Sequence, residues 1–263
     1  MNQLKKKKLF LLDMDGTIYL DNDLFDGTLD FLQYVKSIGG RYIFLTNNSS
    51  KGVDKYIEKL ANLGIVSTAD DFLTSTDATI LYLKQKDYKK IYAFGTQSFV
   101  KQLRDAGLCV TTQREYGIDC LCLSNDTELT FKKLEDACIL LRDNIDYIAT
   151  NPDWVCPTWY GYVPDCGSLA EMIHTSTKKH PKFIGKPEPD MAYLAMHFTG
   201  FSKEETVLLG DRLYTDIACG VNAGISTIFV LSGEGTLEDV EKSNTKPEFV
   251  YENIREIYRD LVK

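Results

Sequence analysis

Short apolar runs alternate with stretches of helical periodicity along almost the whole chain. The run KLFLLD, Lys8 to Asp13, reads as a buried strand, and DGTLDFLQYVKSIGG after it places Leu29, Leu32 and Val35 (or Lys36) at helical spacing before a Gly-Gly stop. RYIFLTNN then reads as a strand and SSKGVDKYIEKLANLG as a helix, with Ser49 or Ser50 as its cap and Gly64 as its terminator. The tail repeats the rhythm: TVLLGD and STIFVL as strands, YTDIACGVNAG and YENIREIYRDLV as helices. Such alternation predicts an α/β protein, a Rossmann-like, doubly wound and mostly parallel sheet with helices on both faces.

The middle of the chain has a second alternating set, KKIYAFG, QSFVKQLRDAG, IDCLCLS, TFKKLEDACILLRD and DYIAT, followed by NPDWVCPTWYGYVPDCG, whose Pro, Gly and aromatic content reads as loop. One open sheet could hold every strand. Chemically loaded strand ends, however, are expected only before about residue 50 and after about residue 184. The middle is therefore expected to be an inserted α/β domain: residues 1–78 and 183–263 form the core, and residues 79–182 the insertion. Neither a fixed-period repeat nor a low-complexity segment is evident.

Composition narrows the class. The 263 residues are 44% hydrophobic and 26% charged, as in a soluble globular protein with one large core or two smaller ones. A net charge of -8 argues against a nucleic-acid polymer as partner. Lys5 to Lys8 is the sole basic run. The four apolar residues after it are too few for an export signal, and no apolar run approaches a membrane span, so a solvated lead-in to the first strand is expected. Seven cysteines without CxxC spacing suit small buried hydrophobes in a reducing, cytoplasmic compartment; Cys120 and Cys122 alternate onto one strand face with no histidine near them in sequence. The apolar helix faces suit either core or a homodimer interface.

In open parallel sheets, ligands gather outside the carboxyl ends of the strands. The first strand here ends in Asp13-Met14-Asp15-Gly16-Thr17 and the second in Thr46-Asn47-Asn48. A later loop holds Lys186, and TVLLG runs into Asp211 with Asp216 five residues on. Converging carboxylates repel unless a cation sits among them, and hard oxygen donors suit Mg²⁺. Lys186, the Thr46 hydroxyl and the Asn47 amide would then serve a bound phosphate. Asp13 would be the nucleophile that forms an aspartyl phosphate. Asp15 would stand on the leaving-group side, donating a proton to the departing oxygen and later taking one from water.

Asp13-x-Asp15-Gly16-Thr17, Thr46, Lys186 and Gly210-Asp211-x4-Asp216 resemble, in order, the four motifs of the haloacid dehalogenase superfamily. LTNNSS, IATNPD, FIGKPEPD and LLGDRLYTDI are similar, more narrowly, to its subfamily IIA, the NagD-like phosphatases, which insert a large α/β (C2-type) cap between the second and third motifs. The resemblance covers nearly the whole chain. It implies Asp13 as nucleophile, Asp15 as acid/base, Mg²⁺ on Asp13, the Asp15 backbone carbonyl and Asp211, with Asp216 close by, and Thr46, Asn47 and Lys186 around the phosphate. The chain departs from the pattern at Asp26-Gly27, where Pro-Gly is expected, and at Pro164-Asp165-Cys166-Gly167, where a glycine-rich turn is expected. Asp153, Trp159 and Tyr162 are candidates for substrate selection. The aromatic cluster Trp154, Trp159, Tyr160 and Tyr162 suits stacking on a base or sugar as well as it suits packing of its own loop.

These features predict a phosphatase for small soluble phosphate monoesters. A phosphomutase shares the Asp pair. A phospho-acceptor signalling module shares the acids and lysine, but carries its acceptor on a later strand, and the inserted domain counts against it. A catalytically silent binding protein would be expected to have lost Asp13 or Asp15, and both are here. Other phosphatase chemistries lack their residues: no cysteine has an arginine six residues on, no R-H-G occurs, and Gly185-Lys186 lacks the Ser/Thr of a P-loop.

Overall fold

In this computed structural model, which describes residues 3–158 and 160–263, β1 (Leu9–Leu12) has all four side chains buried, as an apolar run covered on both faces must. The lysines before it are less solvated than expected. Gln3–Lys6 makes a 3-10 turn, Lys7 is buried with Nζ donating to Glu204 O at 2.8 Å, and Lys8 Nζ donates to Ile38 O at 2.5 Å. Burial pushes the Lys7 ammonium below the usual lysine range, against the pull of Glu248 and Glu204.

After β1 come a short antiparallel pair, β2 (Tyr19–Leu20) and β3 (Asp23–Leu24), then α1 (Thr28–Ser37), β4 (Arg41–Thr46), α2 (Val53–Asn62) and β5 (Phe72–Thr74). Next follow α3 (Ser75–Lys86), β6 (Ile91–Phe94), α4 (Gln97–Asp105), β7 (Val110–Thr111), β8 (Cys120–Leu123), α5 (Phe131–Leu140) and β9 (Asp146–Ala149). Then come β10 (Val155–Thr158), β11 (Gly161–Pro164), α6 (Cys166–Thr177) and β12 (Lys182–Phe183). The chain ends with α7 (Asp190–Thr199), β13 (Thr206–Gly210), a π-helical turn Leu213–Ile217 leading into α8 (Ala218–Ala223), β14 (Ser226–Val230), α9 (Leu237–Lys242), β15 (Phe249–Tyr251) and α10 (Ile254–Val262).

The chain divides into two compact units. The first comprises Met1–Thr46, Asp54–Leu73 and Lys186–Lys263; the second comprises Asn47–Val53 and Thr74–Gly185. A six-stranded sheet in the order β15-β14-β13-β1-β4-β5 runs through the first unit, and β1 pairs in parallel with both β13 and β4. The early strands therefore add on one side of β1 and the late strands on the other. That reversal is a topological switch point, and Asp13 lies at its carboxyl end. Met191 and Met196 of α7 are buried in this unit, as core methionines.

The second unit has its own five-stranded parallel sheet, in the order β12-β9-β8-β6-β7. Its core includes Tyr92, Phe94, Leu121, Leu123 and Leu169; Cys120 and Cys122 are fully buried, and all seven cysteines are free thiols. Its strand ends are polar too, contrary to expectation, and segment 47–53 packs into them. Ser49 Oγ lies 2.8 Å from Thr150 Oγ1 and accepts from Asn125 N at 3.0 Å, while Thr96 Oγ1 donates to Ser50 O at 3.0 Å. The default ligand position of this second sheet is thus filled by the protein's own chain. For the same reason neither Ser49 nor Ser50 caps α2, which starts at Val53; Gly64, at φ +84°, follows the end of that helix as expected.

Residues 151–167 correct the loop reading. They contain the antiparallel ribbon β10–β11, with Val155 opposite Pro164, and the first turn of α6. A two-stranded ribbon has an outer edge on each strand, which tolerates proline. The Asp165 side chain accepts from Cys166 N at 2.5 Å and caps α6.

Candidate active site

Asp13 leaves β1 with its N–H donated to Leu209 O of β13 at 2.9 Å, so the neighbouring strand sets its height. Met14 turns into the core and Asp15 turns outward. The chain then reverses: Gly16 N donates to Tyr19 O at 2.8 Å, and Thr17 N donates to Met14 O at 3.1 Å. Gly16 takes φ +83°, and a Cβ there would stand 2.5 Å from Asp211 Oδ2. Glycine is required twice over, by backbone conformation and by the approach of a carboxylate.

Lys186, the first residue after the chain re-enters this unit, points its ammonium into the acids. Nζ lies 2.6 Å from Asp13 Oδ1 and 2.6 Å from Asp216 Oδ1, and donates to Leu45 O at 3.3 Å. Burial alone would lower its pKa, but the two carboxylates outweigh burial and hold it above the usual lysine range. Asp216 sits in the π-helical turn, where Oδ2 accepts from Arg212 N at 3.1 Å. Asp211 Oδ2 accepts from Glu234 N at 2.7 Å. Thr46, the last residue of β4 and of its segment in this unit, is buried.

One carboxylate oxygen from each of Asp13, Asp211 and Asp216 lies within 4.8 Å of the other two. At that spacing each ionised pair repels by about 3 kcal/mol at an effective dielectric of about 20. Burial first, then Asp216, pushes Asp211 up to about 7. Burial also drives Asp13 well above the usual carboxylate range, against the pull of Lys186 and with the push of Asp216 and Asp211. Asp211 Oδ1 is buried without a hydrogen-bond partner, so this oxygen has its lone pairs available to a cation. An all-oxygen donor set with one orphaned carboxylate oxygen fits a hard divalent cation.

The Asp15 carboxyl stands apart from that group. Its side chain is 48% exposed, Oδ2 accepts from Tyr19 Oη at 3.3 Å, and Oδ1 lies 3.5 Å from Lys59 Nζ. Sequence reasoning missed both partners: Lys59 is one of several charges on an amphipathic helix, and Tyr19 follows the motif without marking it. It also missed the strap after β14. Ser232 Oγ donates to Gly16 O at 2.7 Å, Gly235 N donates to Asp211 O at 3.2 Å, and a Cβ on Gly233 would meet the Asp211 carboxylate. Two glycines just past a strand's carboxyl end were a signal for it.

Other predicted residues belong to the second unit. Asn47 Nδ2 donates to Asp153 Oδ1 at 3.1 Å, and Asn47 O accepts from Ser75 Oγ at 2.6 Å and Asn151 Nδ2 at 2.7 Å, all of them buried. Tyr162 of β11 is exposed, as are Trp154 and Tyr160. Trp159 lies outside the described residues. Among the described residues no helix is long and apolar enough to cross a membrane.

These features define a buried carboxylate-and-lysine site at the switch point of a doubly wound α/β protein. The model of haloacid dehalogenase-like hydrolases matches residues 10–109, and a second HAD-hydrolase-like model matches residues 183–257. An acid sugar phosphatase of Staphylococcus aureus (strain MRSA252) is 33% identical over 261 residues, 99% of this chain and all of that protein. The solved structure of a 4-nitrophenylphosphatase from Thermotoga maritima superposes with a TM-score of 0.93 at 41% identity, covering 99% of this chain and 100% of that one. A structure described as a putative nagD protein gives 0.87 at 40% identity, covering 98% and 99%. The chain belongs to the haloacid dehalogenase-like hydrolases, in their NagD-like branch.

Proposed function

We propose that this protein is a Mg²⁺-dependent phosphatase of small soluble phosphate monoesters, sugar phosphates first, with nucleoside monophosphates and p-nitrophenyl phosphate also accepted. The observation that carries the reading is Lys186 bridging Asp13 and Asp216 beside the orphaned oxygen of Asp211. The relatives' names, an acid sugar phosphatase and a 4-nitrophenylphosphatase, support the substrate class.

Asp13, Asp211 and the Asp15 backbone carbonyl would hold the cation, with Asp216 supporting them through Lys186. When bound, Mg²⁺ supplies positive charge to the phosphate oxygens. Lys186 and the Thr46 hydroxyl orient the same oxygens, and Asn47 adds a donor from the chain crossing next to Thr46. An oxygen of Asp13 attacks phosphorus. The ester oxygen leaves with its bonding pair and takes a proton from Asp15, which leaves an aspartyl phosphate. Water then attacks that phosphorus as Asp15 takes its proton, releasing phosphate and restoring the Asp13 carboxylate.

The second unit acts in this reading as a cap. The chain passes into it after Thr46 and again after Leu73, and returns at Asp54 and at Lys186, so two of the four crossings, Thr46 and Lys186, are residues of the site. Loops carried on a rigid sheet are the usual place for specificity, and Tyr162, with Trp159, is the candidate there, while Asp153, whose carboxylate accepts from Asn47 Nδ2, serves as support for the chain crossing. The test is phosphate release across a few dozen metabolites with Mg²⁺. Release from several sugar phosphates is expected; no release from any monoester, p-nitrophenyl phosphate included, overturns the reading.

A further inference from the structure

Of the four acids Asp13, Asp15, Asp211 and Asp216, Asp15 alone stands half in solvent, yet its two oxygens are held by different groups. Tyr19 Oη donates to Oδ2 at 3.3 Å, and Lys59 Nζ lies 3.5 Å from Oδ1. Lys59 Nζ is also 3.8 Å from the centre of the Tyr19 ring. The three side chains close a triangle in which each touches the other two.

The triangle rests on rigid parts. Tyr19 is fully buried, and its backbone is tied to the Asp15–Gly16 turn through Gly16 N. Lys59 comes from α2, whose Tyr56 and Leu60 are buried. A half-exposed ion pair of this length contributes little to stability. What it does provide is direction: a carboxylate gripped at both oxygens cannot rotate freely about its side-chain bonds. Asp13 meets Lys186 in the buried part of the site and Asp15 stands half in solvent, so in the reading above the ester oxygen of a phosphate on Asp13 would leave on the Asp15 side.

We infer that Lys59, supported by Tyr19, is the positioning residue for Asp15 and aims its carboxyl at the leaving-group oxygen and then at the attacking water. The inference rests on the acid/base role of Asp15 in the reading above. A general acid displaced by about 1 Å can lose on the order of a hundredfold in rate. The loss should fall on substrates that need the proton.

The experiment compares kcat/KM for p-nitrophenyl phosphate, whose leaving group needs little protonation, with that for the best alkyl phosphate of the metabolite panel. The full-length wild type, Lys59→Met, Lys59→Arg, Tyr19→Phe and Asp15→Asn are measured side by side. Lys59→Met should lower kcat/KM about thirtyfold for the alkyl ester and about threefold for the aryl ester. It should also show a burst of nitrophenolate, because phosphoenzyme hydrolysis needs the same carboxyl. Lys59→Arg should recover most of the loss, and Tyr19→Phe should show a smaller loss in the same direction. Equal losses on both esters, or no loss, with no burst, overturns the inference. If Asp15→Asn itself fails to discriminate between the esters, the acid/base reading falls with it. If Asp15→Asn discriminates and Lys59→Met does not, only the role of Lys59 falls. Should Lys59→Met not fold, Lys59→Gln and Tyr19→Phe carry the same contrast.

Discussion

Lys186 Nζ stands 2.6 Å from Asp216 Oδ1, with the two side chains only 3% and 1% exposed. A buried pair of this kind is costly to break from one side, because the remaining charge keeps its desolvation penalty without its partner. Lys186→Met leaves three clustered acids with no internal cation. We expect it to destabilise the metal-free protein by about 3–5 kcal/mol, which lowers Tm by roughly 6–20 °C. Saturating Mg²⁺ should recover part of that deficit, since the ion neutralises the same acids. Thermal melts in chelator and in Mg²⁺ check this; an unchanged Tm in chelator removes the electrostatic account of the site.

Asp13→Asn should abolish turnover while leaving the circular dichroism spectrum intact. The amide keeps the size of the side chain, and the backbone bond from Asp13 N to Leu209 O does not depend on it. An amide cannot form the phosphoenzyme, so a loss of several orders of magnitude is expected. A purified variant retaining more than about a tenth of the wild-type rate, roughly 1.4 kcal/mol of barrier, would show that Asp13 is not the nucleophile.

The parts of this site legible in sequence are those carried at strand ends. Asp13, Thr46 and Asp211 follow apolar runs that read as buried strands, and the parallel pairing of β1 with β4 and β13 sets the ends of those three strands side by side. Partners brought in from far along the chain were not legible. Ser49 and Ser50 looked like caps because the local pattern offers a helix start, but Ser49 bonds to Thr150, 101 residues away. Lys59 reaches Asp15 across 44 residues from a helix whose other charges face solvent. The ribbon β10–β11 was hidden by its prolines, which mark loops in general and are tolerated in a ribbon with two free edges.

Removal of the metal should silence the enzyme. With chelator in excess, activity should vanish, and Mg²⁺ should restore it. Ca²⁺ should inhibit. It accepts six to eight oxygens at about 2.3–2.6 Å, where Mg²⁺ holds strict octahedral geometry, so it can engage both oxygens of Asp13 and hold the nucleophile back. Full activity in excess chelator, with elemental analysis showing no bound metal, would sink this expectation.

Tyr162 and Asp153 should separate substrate selection from structural support within the second unit. Tyr162 is 64% exposed on β11, and an exposed side chain that touches little is worth within about 0.5 kcal/mol to folding. Tyr162→Ala should therefore keep the wild-type Tm. If the ring stacks on the organic part of the substrate, KM for the preferred metabolite should rise several-fold while kcat for p-nitrophenyl phosphate holds. Asp153 is 6% exposed and accepts from Asn47 Nδ2, so Asp153→Ala strips a partner from a buried amide at the chain crossing. That should cost about 1–3 kcal/mol and lower activity on every ester alike, because Asn47 adjoins Thr46. The check is a Tm and a substrate ranking for each variant. An unchanged ranking in a fully folded Tyr162→Ala would exclude that face of the ribbon from specificity, and a reordered ranking in Asp153→Ala would move the carboxylate from support to substrate contact.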